Sequence, residues 1–207
     1  MEDVLDLYAE SPEPQRPVVC FDESPYQIIS ETRQVIPAQP GRRERHDFEY
    51  RREGTCNLFV FLCPATGWRH LQVTSRRTAH DFAQQMQALV DVHFPDAPII
   101  RLVLDNLNTH TLAALYETFP PAEARRIARR LEFHFTPKHG SWLNMAELEF
   151  SVLMRQCLDR RFSSQDAVTH AIAAWEASRN AHHIGIDWHF STSHARVKLR
   201  RLYPSSS

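Results

Sequence analysis

Two apolar runs in this chain end in an aspartate: "PVVCFD" closes on Asp22 and "IIRLVLD" on Asp105. A third acid, Glu147, stands in "TPKHGSWLNMAELEF", where a turn-rich stretch passes into helical text. If the two runs are neighbouring strands of one sheet, both aspartates emerge at the same edge. At a separation of a few ångströms such carboxylates repel by on the order of a few kcal/mol at an effective dielectric near 20, so the pair needs a proton, distance or a cation. A hard divalent ion is the economical answer, because Mg²⁺ takes a few carboxylates together with waters and substrate phosphates. Glu147, on a helix packed against that edge, would complete the set. Glu149 points about 200° further round at 3.6 residues per turn, so both glutamates cannot serve equally and substitution of Glu149 should be mild. The same spacing fits a helix start with no catalysis, Asn144 as cap and Glu147 three residues on as a capping-box acid, and spacing alone leaves both readings open.

The elements that must position these acids can be read from periodicity. "PVVCFD" and "IIRLVLD" read as buried strands, and "NLFVFLC" and "WRHLQV" around "PATG" as a hairpin. Residues 23–55 read as irregular, with Pro25, Pro37, Pro40 and Gly41 as breakers and a basic patch at Arg42, Arg43, Arg45, Arg51 and Arg52. Phe82, Met86, Leu89, Val90 and His93 give helical spacing over 78–93. Helical text from 109 to 119, the helix "AEARRIARR", the strand "LEFHF" and two helices near 144–160 and 164–181 follow. Strands and a hairpin first, then strands alternating with helices, describe an α/β protein with a mixed central sheet flanked by helices. Residues 1–16 are polar and proline-containing and read as a linker or arm, which leaves 17–207 as one domain.

A chain of 207 residues, 43% apolar and 24% charged, suits one buried core. The four cysteines show no CxxC pair and three lie in apolar runs, which predicts buried free thiols. The twelve histidines are scattered without metal-ligand spacing. No run approaches eighteen apolar residues, and the acidic start "MEDVLDLYAE" is unlike a secretory signal, so no membrane partner and a cytoplasmic location are expected. Residues 1–50 carry eleven acids against five arginines, while the remainder carries nineteen bases against fourteen acids. That asymmetry permits an anionic partner without demanding one.

"CFDE", "LVLDNLNTH" and "TPKHGSWLNMAELEFSVLMRQCLDRR", in that order, resemble the catalytic domain of the DDE transposases of the IS630 family, relatives of the Tc1/mariner group. The likeness extends through "RRTAHDFAQQM", "EARRIARRLEFHFTPKHG" and "RVKLRRLYP". It implies an RNase H-like fold and a metal-binding catalytic triad of Asp22, Asp105 and Glu147. It further implies two Mg²⁺ or Mn²⁺ ions, cleavage at transposon ends, joining to target DNA, usually at TA, and homo-oligomeric assembly on DNA in a bacterial cell, at the nucleoid. Two ions about 3.5 to 4 Å apart activate the nucleophile and stabilise the leaving oxygen of an in-line displacement, which is chemistry that carboxylates can support. The alternatives are another RNase H-like metal-dependent nuclease, or a shortened remnant that binds DNA or a transposase without cutting. Two features depart from the family pattern. The 41 residues between Asp105 and Glu147 are more than is usual in the wider group. The helix-turn-helix region that precedes the catalytic domain in the family is not found ahead of "PVVCFD", which implies a separately encoded helix-turn-helix partner or its loss.

Basic residues near these motifs are candidates for DNA contact. Arg125, Arg126, Arg129 and Arg130 recur at helical spacing as one basic stripe that could track phosphates or face water. Lys138 and His139 flank a glycine ahead of the third acid, placed for a phosphate or a solvated turn. Asn106, Asn108 and His110 follow the second aspartate and could orient a metal-bound water or phosphate, or belong to an asparagine-rich turn with Asn108 or Thr109 as cap; none is assigned a catalytic role.

Overall fold

The computed structural model describes residues 1–34, 36–43, 45 and 47–203. Five strands form one mixed sheet in the order β3-β2-β1-β4-β5. Strand β1 (Val18–Glu31) pairs antiparallel with β2 (Tyr50–Cys63), and β2 antiparallel with β3 (Trp68–Thr74), whereas β4 (Ile100–Leu104) lies parallel to β1, and β5 (Leu131–Phe135) parallel to β4. The mixed α/β sheet expected from the sequence is therefore found.

Strand alternation divides the core into two layers. On one face Cys20, Val60, Leu62, Leu71, Val73 and Val103 pack against α1 (Glu2–Ala9), α5 (Met145–Leu153), α6 (Gln165–Ala181) and α7 (Thr192–Lys198). On the other, Val19, Phe21, Phe59, Phe61, Leu102 and Leu104 meet α2 (Ala79–Ala88), α3 (Leu112–Thr118) and α4 (Pro121–Ala128). Helix α2 starts at a full capping box, Thr78 with Asp81, and runs on through a π-helical turn to His93. All four cysteines are free and buried, as their apolar contexts predict.

Two expectations need correction. Residues 1–16 are not simply an arm, because α1 sinks Val4, Leu5 and Leu7 into the core and Tyr8 donates from its hydroxyl to the Leu143 carbonyl at 2.9 Å. Three apolar side chains on one helical face outweigh the acidic composition around them. Nor is 23–31 irregular. Strand β1 continues past Pro25 to Glu31, paired with β2 as far as Tyr50, with a register shift at Ile28/Ile29. Beyond the last residues paired to β3 and β4 this is a two-stranded ribbon, and Tyr26 and Ile28 point inward from it. The Tyr26 hydroxyl donates to the Leu158 carbonyl at 3.3 Å and its ring meets Phe162 edge-on. Proline is tolerated there because β1 has lost its β4 neighbour and become a sheet edge.

Candidate active site

The parallel register of β1 and β4 pairs Val18 with Arg101, Val19 with Leu102 and Cys20 with Val103. Carried two residues further, the same offset sets Asp22 opposite Asp105. Both follow the alternation of Cys20 and Val103, on the sheet face covered by α5. The two aspartates are thus brought side by side, Asp105 just past the end of β4 but Asp22 in mid-strand, since β1 runs on to Glu31.

Helix α5 reaches that edge because its first residues are tied to β1. Asn144, 1% exposed, donates from Nδ2 to the Phe21 carbonyl at 2.7 Å while its Oδ1 accepts from the Ala146 amide at 3.1 Å. It is the N-cap, as its sequence position predicts. The capping-box reading of Glu147 is not realised, since the Asn144 amide donates to the Ser141 carbonyl at 2.7 Å. Among the described residues the Glu147 carboxylate has no hydrogen-bond or ion-pair partner. Glu149 is placed quite differently. It is buried, and its Oε1 lies 2.7 Å from Arg69 Nε and 2.9 Å from Arg179 Nε, so β3 and α6 both grip it. With its charge already matched, Glu149 has no free oxygen to present at the edge, whereas Glu147 has two.

Electrostatics join the three acids. Burial pushes the Asp22 carboxyl up, the Glu23 amide donating to its Oδ1 at 2.8 Å pulls it back, and the charges of Asp105 and Glu147 push it up again, to about 7. Among the described residues no three acidic, histidine or cysteine side chains are gathered closely enough to hold an ion as they stand. The donor set nevertheless fits one. The charges of Asp105 and Glu147 act on Asp22, all these oxygens are hard ligands, and a divalent cation would relieve the repulsion that adds to the effect of burial at Asp22.

Beside Asp105 stands His110, a fully buried side chain whose Nδ1 donates to Asp105 Oδ1 at 2.6 Å. Burial alone pulls this imidazole down, but the Asp105 hydrogen bond and the nearby Glu23 outweigh it and carry the ring to about 9. Helix α3 is capped by neither Asn108 nor Thr109, since its N-cap is Thr111. Sequence reasoning noticed His110 but overlooked Glu23, whose signal was an acid two residues after Phe21 and so on the same inward face of the strand.

The basic candidates separate. Lys138 and His139 are exposed in the turn after β5, at the same edge as Asp105, with His139 at φ 63. The four arginines of α4 and its C-terminal end do not form a free stripe. Arg126 spends its guanidinium on Asp91 and Glu123, both at 2.7 Å, and Arg130 donates to the carbonyls of Val90, Phe94, Pro95 and Ala97. Arg125 and Arg129 remain exposed. Arg130 also precedes β5, so it lies at the opposite end of that strand from the acids, about 16 Å away at 3.3 Å per residue. Helical spacing made the four arginines neighbours, but what they face was decided by acids and carbonyls from other segments.

The model of one protein family, the DDE superfamily endonucleases, matches residues 17–169, a stretch that contains all three acids. The chain belongs to that family. A comparison with curated proteins finds no match. Among solved structures, this DDE endonuclease is similar to the Mos1 mariner paired end complex with Mn, at 19% identity over 87% of this chain and 53% of that one, with a TM-score of 0.57. It is similar also to the Mos1 Strand Transfer Complex, at 17% identity over 84% and 51% with a TM-score of 0.59. A pre-cleavage Mos1 transpososome matches at 15% identity over 90% and 60%, with a TM-score of 0.56. At these identities the likeness establishes the fold, that of the RNase H-like catalytic domain. The chain spans between half and three fifths of the Mos1 chains it matches. No helix among the described residues of this DDE endonuclease is long and apolar enough to cross a membrane.

Proposed function

We propose that this chain is the catalytic domain of a Tc1/mariner-like DDE transposase, of the IS630 branch, which cleaves DNA at transposon ends and joins the ends to a target, with Asp22, Asp105 and Glu147 as its catalytic acids. The observation that carries the reading is that the charges of Asp105 and Glu147, from the end of β4 and the start of α5, act on Asp22 of β1. These carboxylates would hold Mg²⁺ or Mn²⁺, two ions in the full site, which when bound supply charge neutralisation at the phosphate and an activated oxygen nucleophile. The chain's own part is positional. Asn144 fixes the start of α5 against β1, Glu149 sets the rotation of that helix, and the parallel register of β1 and β4 aligns the two aspartates. Lys138 and His139 flank the edge where a phosphate backbone would approach, and Arg125 and Arg129 offer a second, distant phosphate contact. End recognition falls to a helix-turn-helix element outside these residues, and assembly on two DNA ends makes the working species an oligomer.

The test is a transposon-end duplex incubated with the chain and Mn²⁺, scored for nicking and for joining to a second duplex. Nicking with joining supports the transposase. Nicking alone identifies a simple nuclease, and no cleavage with retained DNA binding identifies a non-catalytic binder. Asp22→Asn, Asp105→Asn and Glu147→Gln should each abolish whatever cleavage is seen.

A further inference from the structure

The face of the sheet opposite α5 carries a second row of charge that the three catalytic acids do not use. Glu23 follows Asp22 on β1 and by alternation turns to the other face. There its carboxylate, 4% exposed, has Oε1 3.5 Å from Arg77 Nη1 and Oε2 3.5 Å from His110 Nε2. The His110 side chain is 0% exposed and its Nε2 has no hydrogen bond. Its ring is wedged between Phe21, with centroids 5.2 Å apart, and Phe82, at 5.0 Å. On the far side Nδ1 meets Asp105 Oδ1 at 2.6 Å.

A buried histidine normally settles for one backbone partner. This one has a carboxylate at each nitrogen and an aromatic ring on each side, which fixes the plane of the imidazole as well as its position. An ionised aspartate can only accept, so Nδ1 carries the proton that joins them. We propose that His110 is the positioning residue of Asp105, and that Glu23, backed by Arg77, holds His110. The inference rests on reading Asp105 as a cation ligand. Its oxygens then have different duties: Oδ1 is engaged by His110, and Oδ2 is the one left to face a cation. Carboxylate and imidazole partners behind a ligand commonly contribute ten- to a hundredfold in metal affinity, because they stop the ligand from rotating away. Neighbouring acids of β1 thus act on opposite faces of the sheet for one purpose, Asp22 directly and Glu23 through two intermediates.

The experiment compares wild type with His110→Phe, which keeps the stacked ring but removes both nitrogens, and His110→Asn, which restores a donor near the place of Nδ1. Mn²⁺ binding is read from the loss of the free-ion electron paramagnetic resonance signal, with Asp105→Asn as reference. His110→Phe should weaken binding at least tenfold, His110→Asn should recover part of that loss, and Glu23→Gln should weaken binding a few-fold. Unchanged binding in His110→Phe, with Asp105→Asn impaired, overturns the positioning role and leaves the catalytic reading standing. Equal binding in wild type and Asp105→Asn overturns both. Should His110→Phe fail to fold, the wild-type ring decides by long-range ¹H–¹⁵N correlation. A proton on Nδ1 that Asp105→Asn deshields less supports the proposal, and a ring protonated on Nε2 alone overturns it.

Discussion

Asn144 Nδ2 donates to the Phe21 carbonyl at 2.7 Å, one residue before Asp22, so the cap of the helix that bears Glu147 is fastened to the strand that bears the first aspartate. The bond is buried and its two ends are 123 residues apart in the chain. Asn144→Ala would remove the cap and leave a carbonyl unsatisfied, at a cost of about 1–3 kcal/mol. Urea unfolding should show that loss, and cleavage should fall by more than stability alone explains, because α5 would be free to shift relative to β1. Asn144→Asp should retain the cap but not the Phe21 bond, and so separate the two effects.

The two glutamates of α5 should respond to the same substitution in opposite ways. Glu147→Gln is expected to abolish cleavage and leave thermal unfolding nearly unchanged, since the side chain has no partner among the described residues. Glu149→Gln is expected to unfold earlier, by about 3–5 kcal/mol, because Arg69 would be left as an uncompensated buried charge. The effect of Glu149→Gln on cleavage by the folded variant is still expected to be mild, as in the sequence reading, while its effect on stability is large. Loss of cleavage in Glu149→Gln at a temperature where the variant is fully folded would count against this division.

Without a cation, stability should decline as pH rises. Asp22 has its carboxyl raised to about 7 in the folded chain from an ordinary 3.8, so it favours folding below pH 4 and that contribution is lost on the way to pH 7. His110 is raised to about 9 from 6.5, so its contribution is complete below 6.5 and is lost as pH climbs through 9. Both slopes have the same sign. Asp22→Asn, melted in chelator at pH 5 and pH 8, should gain on wild type at the higher pH, and no difference between the two values would refute the assignment.

Millimolar Mg²⁺ or Mn²⁺ should raise the melting temperature of the wild-type protein by binding linkage. The triple variant Asp22→Asn, Asp105→Asn, Glu147→Gln should not respond. An equal rise in both would put the ion elsewhere.

Among the arginines, Arg130→Ala should destabilise the chain by about 2–4 kcal/mol, as four carbonyls lose a donor, without altering the salt dependence of DNA binding. Charge reversal at Arg125 and Arg129 should flatten that salt dependence if this face meets phosphate. Paired titrations at 50 and 200 mM salt would check both.

The two strands were legible because each acid ends an apolar run, which marks a buried strand, although only Asp105 stands at a strand end and β1 runs on past Asp22 to Glu31. Glu147 was legible only as one of two readings, since a capping box and a metal ligand share their spacing; Arg69 and Arg179, which engage Glu149, lie 80 residues before it and 30 after it in the chain. The outer half of β1 was hidden by Pro25, although Tyr26, Ile28 and Ser30 alternate inward as a strand should. Helix α1 was hidden by its acids. In each case the local text was ambiguous and a distant partner resolved it.

Glu149 is gripped from β3 and α6, and Asn144 from β1, so these ties to α5 come from outside α3, α4 and β5. Helices α3 and α4 pack on the other face of the sheet, so a change in their length need not move Glu147 relative to Asp22. The interval between the second and third acids is therefore free to drift in evolution, and an unusual count of residues there is no sign of a damaged enzyme.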